Sequence, residues 1–304
     1  MPRCARVKTL DSIFHVMCRS MDEFDLFRDD KDKRKFMELT KDMQGLYKFR
    51  IYGYCLMDNH VHLLMDSNGA DVSLIMHDIN YKYAVYYNKK YDRRGHVFFD
   101  RFKSEIVDNE KYLITLSAYI HNNTKALPAY CKRPQAYEFS SLGVYLGLRD
   151  DPFCLVDKGF VLDLFGSNYA VARINYYNFV MKCNDEYMIK KVEFENEGTE
   201  YRSERKILVR DVEPGTIVEY VVEKMDISEI MLHTKCSRKA VESKALLVLL
   251  MRSMCNQKCC EICKELGNIT QARVSALSSK AMELLKSSQN FRKIVEDFML
   301  LYGA

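Results

Sequence analysis

The chain has 304 residues, 48% of them hydrophobic and 29% charged, a composition that excludes a disordered polymer and gives room for one large domain or two ordinary ones. The longest apolar run, Ala245 to Met251, is too short to cross a bilayer, and the start of the chain, with Arg3, Arg6 and Lys8 before polar residues, lacks the apolar stretch of a signal peptide; a cytoplasmic protein without membrane contact is expected. A net charge of +4 is too mild to argue for nucleic acid unless its local distribution does.

Along the first 150 residues, strand-like and helix-like patterns alternate. Ile13 to Cys18 is short, β-branched and aromatic, and reads as a strand. Asp32 to Leu46 places Phe36, Leu39, Met43 and Leu46 at helical spacing. Arg50 to Met57 and His60 to Met65 read as two strands joined by a tight turn at Asp58-Asn59. From Asp71, the residues Val72, Ile75, Ile79, Tyr83 and Tyr86 form a helical stripe to about Asn88. Val97 to Val107 is strand-like again, and Asp108 has the character of an N-cap for a helix running to about Asn122. The order β-α-β-β-α-β plus a helix predicts an α+β, ferredoxin-like (split βαβ) antiparallel sheet. Such a sheet buries one face on its helices and leaves the other to meet a ligand.

After Ser141 the pattern changes. Val156 to Asn184 predicts two short helices separated near Gly166, and Glu186 to Asp211 alternates charges like a linker or a solvated hairpin. From about Glu213 the chain turns helical: a buried core over Ala245 to Met251, a short helix over Cys259 to Leu266 ended by Gly267, then a helix over Thr270 to Leu285. A short helix, a glycine turn and a second helix is helix-turn-helix spacing. The expected division is therefore 1–150, a helical extension and linker at 151–212, and an all-α domain at 213–304.

The eleven cysteines are odd in number and follow no framework, so reduced thiols are expected. Cys255, Cys259 and Cys263 recur at helical spacing, with Cys260 beside them. Without a second CxxC pair or a nearby histidine they read as a buried helix face before a zinc site.

Three features carry chemistry. In a strand, His60 and His62 project from one face with Cα atoms roughly 6.5 Å apart, a distance at which two nitrogens converge on one metal ion; a pair of half-buried structural histidines gives the same pattern. On a helix, Tyr119 and Asn123 share a face, so the tyrosine can aim its hydroxyl at a phosphate while Asn123 offers an amide oxygen; a core tyrosine is the plainer reading. Between them, Lys82, Lys89, Lys90, Arg93, Arg94, Arg101 and Lys103 interleave with Tyr83, Tyr86, Tyr87 and Tyr91. That mixture suits a groove that tracks single-stranded nucleic acid and stacks its bases, or a solvated charged helix with a tyrosine core stripe.

Five blocks together resemble the REP-associated tyrosine transposases, single-tyrosine enzymes of the HUH superfamily. They are Met1-Pro2-Arg3-Cys4-Ala5-Arg6 with Phe14-His15-Val16; Leu56-Met57-Asp58-Asn59-His60-Val61-His62-Leu63-Leu64; Gly95-His96-Val97-Phe98 with Arg101-Phe102-Lys103-Ser104; Tyr119-Ile120-His121-Asn122-Asn123; and Ser140-Ser141. The similarity covers residues 1 to about 150. One position departs from the family pattern: Thr124 stands where a proline usually follows the helix asparagine. The resemblance implies that His60, His62 and Asn123 hold one Mg²⁺ or Mn²⁺ ion and that Tyr119 attacks a DNA phosphate. The implied product is a 5′-phosphotyrosine with a free 3′-hydroxyl. The implied partner is single-stranded or hairpin DNA, with Arg93, Arg94, Arg101 and Lys103 against the strand, and a homodimer is allowed.

Residues 213–304 resemble, more weakly, the helix-turn-helix DNA-binding domain of the replication initiator DnaA, through Val241-Glu242-Ser243-Lys244-Ala245, Glu261-Ile262, Leu266-Gly267 and Val274. Gln271, Arg273 and Lys280 would then face duplex DNA. The Asp-His-Thr signature of that initiator is absent, with Thr270, Gln271 and Ala272 in its place, so its sequence specificity does not carry over. The competing function is a non-catalytic DNA-binding regulator on the same fold. A zinc hydrolase is disfavoured, because there is no HExxH helix and no nearby carboxylate.

Overall fold

The structure is a computed structural model that describes residues 12–21, 24–183, 208, 210–233, 238–267 and 269–302. The chain divides into two compact units. The first gathers the described parts of residues 1–44, 49–68 and 76–205, and the second those of 45–48, 69–75 and 206–304. Most of the charged 186–211 segment lies outside the described residues.

The first unit is built on four antiparallel strands: β1 (Ile13–Arg19), β2 (Arg50–Leu56), β3 (His60–Asp66) and β4 (Lys103–Val107), in the order β2-β3-β1-β4. Helices α1 (Asp30–Tyr47) and α2 (Val72–Lys90) fill the two crossovers and α3 (Glu110–Asn122) follows β4, which is the split βαβ plan of an α+β protein. In β1 the apolar Phe14, Val16 and Cys18 alternate with less buried residues. They point toward α2, where Asn80 Nδ2 lies 3.4 Å from Cys18 Sγ. Phe27, Phe36 and Tyr83 interlock edge to face in the same layer, burying aromatic area that dominates a core of this size.

The opposite face is not left open. Helix α3 packs over β2 and β3, and α4 (Tyr169–Lys182) packs on α3. Among the described residues the β4 side remains largely exposed: of its five residues Val107 alone is buried. The strand expected from Val97 shortens to Lys103–Val107. Phe98 makes one bridge to Ser20, and the Asp100 carboxylate then accepts the Arg101 N–H at 2.7 Å, turning the backbone out of the ladder. The N-cap of α3 is Asn109, one residue beyond the expected Asp108; its Oδ1 accepts the Tyr112 N–H at 2.7 Å, which only the residue three before Tyr112 can reach.

The second unit is helical: α5 (Pro214–Lys224), α6 (Arg238–Met254), α7 (Cys259–Leu266), α8 (Gln271–Ser287) and α9 (Gln289–Tyr302). Residues 245–251 of α6 are buried on every side, as an apolar run without a polar stripe requires. Gly267, at φ 57°, ends α7, and Thr270 caps α8 by accepting the Arg273 N–H. The cysteines do not form a buried face. Cys255 lies beyond the end of α6, Cys260 is exposed, and Cys259 and Cys263 are half-exposed; Ile262 and Leu266 are the buried side chains of α7. Among the described residues no helix is long and apolar enough to cross a membrane.

Candidate active site

The tight turn before β3 fixes its register. Met57 N–H bonds to the His60 carbonyl at 2.8 Å, and Lys33 holds the Asp58 carboxylate at 2.7 Å. Side chains then alternate, and His60 and His62 leave the sheet on one face with ring centroids 5.0 Å apart. Across β1, Arg19 stands opposite His60, Met17 opposite His62 and His15 opposite Leu64; on β4, Lys103 and Glu105 stand opposite Met17 and His15. Directly opposed residues share a face, so Arg19, His15, Lys103 and Glu105 surround the two histidines.

Helix α3 brings Tyr119 onto this face. Its half-buried ring meets His62 edge-on at 5.7 Å and His15 at 6.4 Å. One turn later Asn123 ends the helix. Its Nδ2 donates to the Tyr119 carbonyl at 3.0 Å, and the side chain also hydrogen-bonds His60. Thr124, at the position of the usual proline, donates its hydroxyl to the His121 carbonyl at 3.0 Å and satisfies a helix-end group by a different route. The structure thus gathers Tyr119, His60, His62 and Asn123 at one place.

The residues between them hold α3 in position. His121 is fully buried, with Nε2 2.7 Å from Ser141 Oγ and Nδ1 2.7 Å from the Tyr176 hydroxyl. Ser141 Oγ in turn accepts the Tyr54 N–H of β2 at 2.9 Å. Asn122 Nδ2 donates to the carbonyls of Val180 and Cys183 at 2.8 and 2.7 Å. Tyr119 and Asn123 face the site while His121 and Asn122 pin the helix to its neighbours.

Burial pushes the His121 imidazole down to about 3, so the ring is neutral when folded and both hydroxyl partners suit it. This sets an acid dependence. Below pH 6.5 the unfolded chain takes up a proton at His121 that the folded chain refuses until about pH 3. Folding stability is therefore present at neutral pH and lost downward through that window, by roughly 1.4 kcal/mol per pH unit for one such group. His121→Gln should flatten this limb in urea titrations at pH 7 and pH 5. His121→Ala, which leaves two buried hydroxyls short of a partner, should cost about 2–4 kcal/mol. An unchanged acid limb in the glutamine variant would remove His121 from this role.

Burial likewise lowers His60 and His15, and lowers His62 well below its ordinary value; a hydrogen bond to Asn123 opposes the shift at His60, and Glu105 opposes it at His15. Neutral imidazoles keep a lone pair for a cation. Among the described residues no three His, Cys, Asp or Glu side chains are placed to hold a metal ion; the donor set here is two imidazoles and an amide oxygen. That set, completed by phosphate oxygens, suits a borderline-to-hard divalent ion such as Mn²⁺ or Mg²⁺.

The basic segments divide. Arg101 and Lys103 are exposed, with Lys103 on the site face. Arg94 is exposed, whereas Arg93 stacks on Phe24 at 3.9 Å. The tyrosines among them are not stacking platforms: Tyr83 and Tyr87 are fully buried and donate to the Leu26 and Asp25 carbonyls. Tyr86, Tyr91 and Lys90 converge on buried Asp32. A buried carboxylate needs that many donors, so the tyrosine pattern is structural. In the second unit Gln271 and Arg273 are exposed, and Lys280 pairs with Glu283 at 2.9 Å. Sequence reasoning assigned no role to His15 or Arg19; the period-two alternation of β1 was the signal that both face the site.

Residues 8–123 match the family model described as "Transposase IS200 like". No curated protein matches the chain. Among solved structures, one described as a REP-associated tyrosine transposase bound to a REP hairpin is similar at 13% identity and a TM-score of 0.41, covering 50% of this chain and 90% of that one.

Proposed function

We propose that the IS200-like transposase domain at residues 8–123 cuts and rejoins single-stranded DNA through a covalent bond to Tyr119. The observation that carries this reading is the meeting of Tyr119 with His60, His62 and Asn123 on one sheet face. Tyr119 Oη attacks the scissile phosphorus in line. The bond to the 3′-oxygen breaks, its electron pair stays on that oxygen, and the oxygen takes up a proton while the phenol gives one up to solvent. The products are a 5′-phosphotyrosine and a free 3′-hydroxyl. One phosphate ester replaces another, so a second 3′-hydroxyl can reverse the step and complete strand transfer. His60, His62 and Asn123 would hold a divalent cation, which when bound neutralises charge on the scissile phosphate. Arg101 and Lys103 are proposed to track the strand, which the sequence resemblance makes a hairpin.

The test uses the full chain with end-labelled hairpin oligonucleotides and Mn²⁺, read on denaturing gels. A protein–DNA adduct that disappears in excess EDTA is the expected result. Binding without any adduct would favour the non-catalytic regulator.

The second unit is proposed to add duplex affinity through α7, its glycine turn and the exposed start of α8. Arg273→Ala in the full chain should lower the slope of log affinity against log salt by roughly 0.9 for duplex DNA and leave the adduct yield on single strands unchanged. An unchanged slope would make these helices a structural or protein-binding part.

A further inference from the structure

The site face holds a third histidine that the proposed chemistry leaves without work. His15 comes from β1 and lies diagonally across from His62; its Nε2 stands 2.9 Å from His62 Nδ1, with the rings stacked at 5.2 Å. His62 is only 3% exposed, so water does not offer that nitrogen an equivalent partner. We propose that His15 is a positioning residue which accepts the Nδ1 proton of His62 and thereby presents the His62 Nε2 lone pair to a divalent cation. This inference rests on the metal site proposed above.

Two neutral imidazoles joined by one hydrogen bond must play opposite roles. If His15 donates, His62 carries its proton on Nε2 and has no lone pair for a cation. If His62 donates, Nε2 is bare and its lone pair points away from His15. The two nitrogens face each other at 2.9 Å and only one hydrogen fits between them, which limits the pair to these two arrangements. The second needs His15 to carry its own proton on Nδ1. Glu105 stands opposite His15 on β4 and acts on that ring electrostatically, and a nearby carboxylate favours an imidazole that keeps an N–H free for it. A ligating histidine whose other nitrogen is tied to a fixed acceptor is held in tautomer and orientation, and losing such a partner costs roughly 10–100-fold in metal affinity. His15 is no third ligand, because its Nε2 is already spent on His62.

The experiment measures Mn²⁺ affinity of the full chain without DNA, by titration calorimetry, and the His62 tautomer by imidazole ¹⁵N–¹H correlation in the metal-free protein. His15→Ala should weaken Mn²⁺ binding roughly 10–100-fold and move the His62 proton toward Nε2, with thermal stability as control. His15→Gln, which restores an acceptor oxygen, should recover most of both. If His15→Ala leaves Mn²⁺ affinity and tautomer unchanged while His60→Ala weakens binding, the positioning role is wrong and the metal site stands. If His60→Ala also leaves the affinity unchanged, the metal reading itself fails. A His62 that already carries its proton on Nε2 in the unsubstituted protein would overturn the proposal directly.

Discussion

Tyr119→Phe is expected to abolish the covalent DNA adduct while leaving hairpin binding and thermal stability nearly intact. The substitution removes one oxygen from a half-buried ring that keeps its edge-on contacts with His62 and His15. The stability change should stay within about 1 kcal/mol, the scale of a single hydrogen bond. The chemical change is of another order, since removing a nucleophile costs on the order of 10⁴-fold or more when nothing nearby replaces it. Tyr112 is the other tyrosine of α3, seven residues earlier, and its hydroxyl lies 3.2 Å from Glu105 Oε2, so it does not substitute. Adduct gels at long incubation, with affinity by fluorescence anisotropy, provide the check. An adduct persisting in the phenylalanine variant would show that another residue attacks.

His60→Ala and His62→Ala should each remove metal-dependent cleavage, but they should differ in stability. His60 begins β3 at the site edge and is half-exposed; its loss deprives Asn123 and Asn59 of one partner each. His62 is buried beneath Tyr119 and bonded to His15, so alanine there opens a void and strands the His15 nitrogen, at about 1–3 kcal/mol. Both variants should lose more than the roughly 100-fold in Mn²⁺ affinity that marks the upper range for outer partners, because a two-imidazole site keeps only one nitrogen. Calorimetric titration and adduct yield across Mn²⁺ concentrations read the two losses together. Full cleavage by either variant in the presence of EDTA would exclude a metal held by these histidines.

Local pattern reached far in this chain because its elements are locally consistent. Strand-like composition over Ile13 to Cys18 and His60 to Met65, helical stripes over α1 and α2, and the Asp58-Asn59 turn required no knowledge of distant residues. The order of these elements then predicted the split βαβ sheet. Local reasoning failed where the deciding partner was remote or one residue off. Val97 to Phe99 had the composition of a strand, but Asp100 captures a backbone N–H and turns the chain. Asp108 and Asn109 are equally good caps on paper; only the geometry of the first turn selects Asn109. The tyrosines of α2 and the adjoining Tyr91 matched a stacking surface in composition, yet Asp32 draws in the hydroxyls of Tyr86 and Tyr91, and Tyr83 and Tyr87 donate to the Leu26 and Asp25 carbonyls.

By itself the sequence determined which side chains could perform chemistry and the spacing that puts His60 with His62 and Tyr119 with Asn123, because those relations follow from the repeat of a strand and of a helix. It could not place the two pairs together. That depends on α3 crossing the sheet, which is enforced by His121 reaching Ser141 and Tyr176, and by Asn122 reaching the end of α4, contacts separated by 20 to 61 residues. Nor could it give His15 a partner, since a hydrogen bond between residues 47 apart exists only once β1 and β3 are paired in one register. Alternation fixes the face a residue occupies; only the tertiary register fixes the neighbour it finds there.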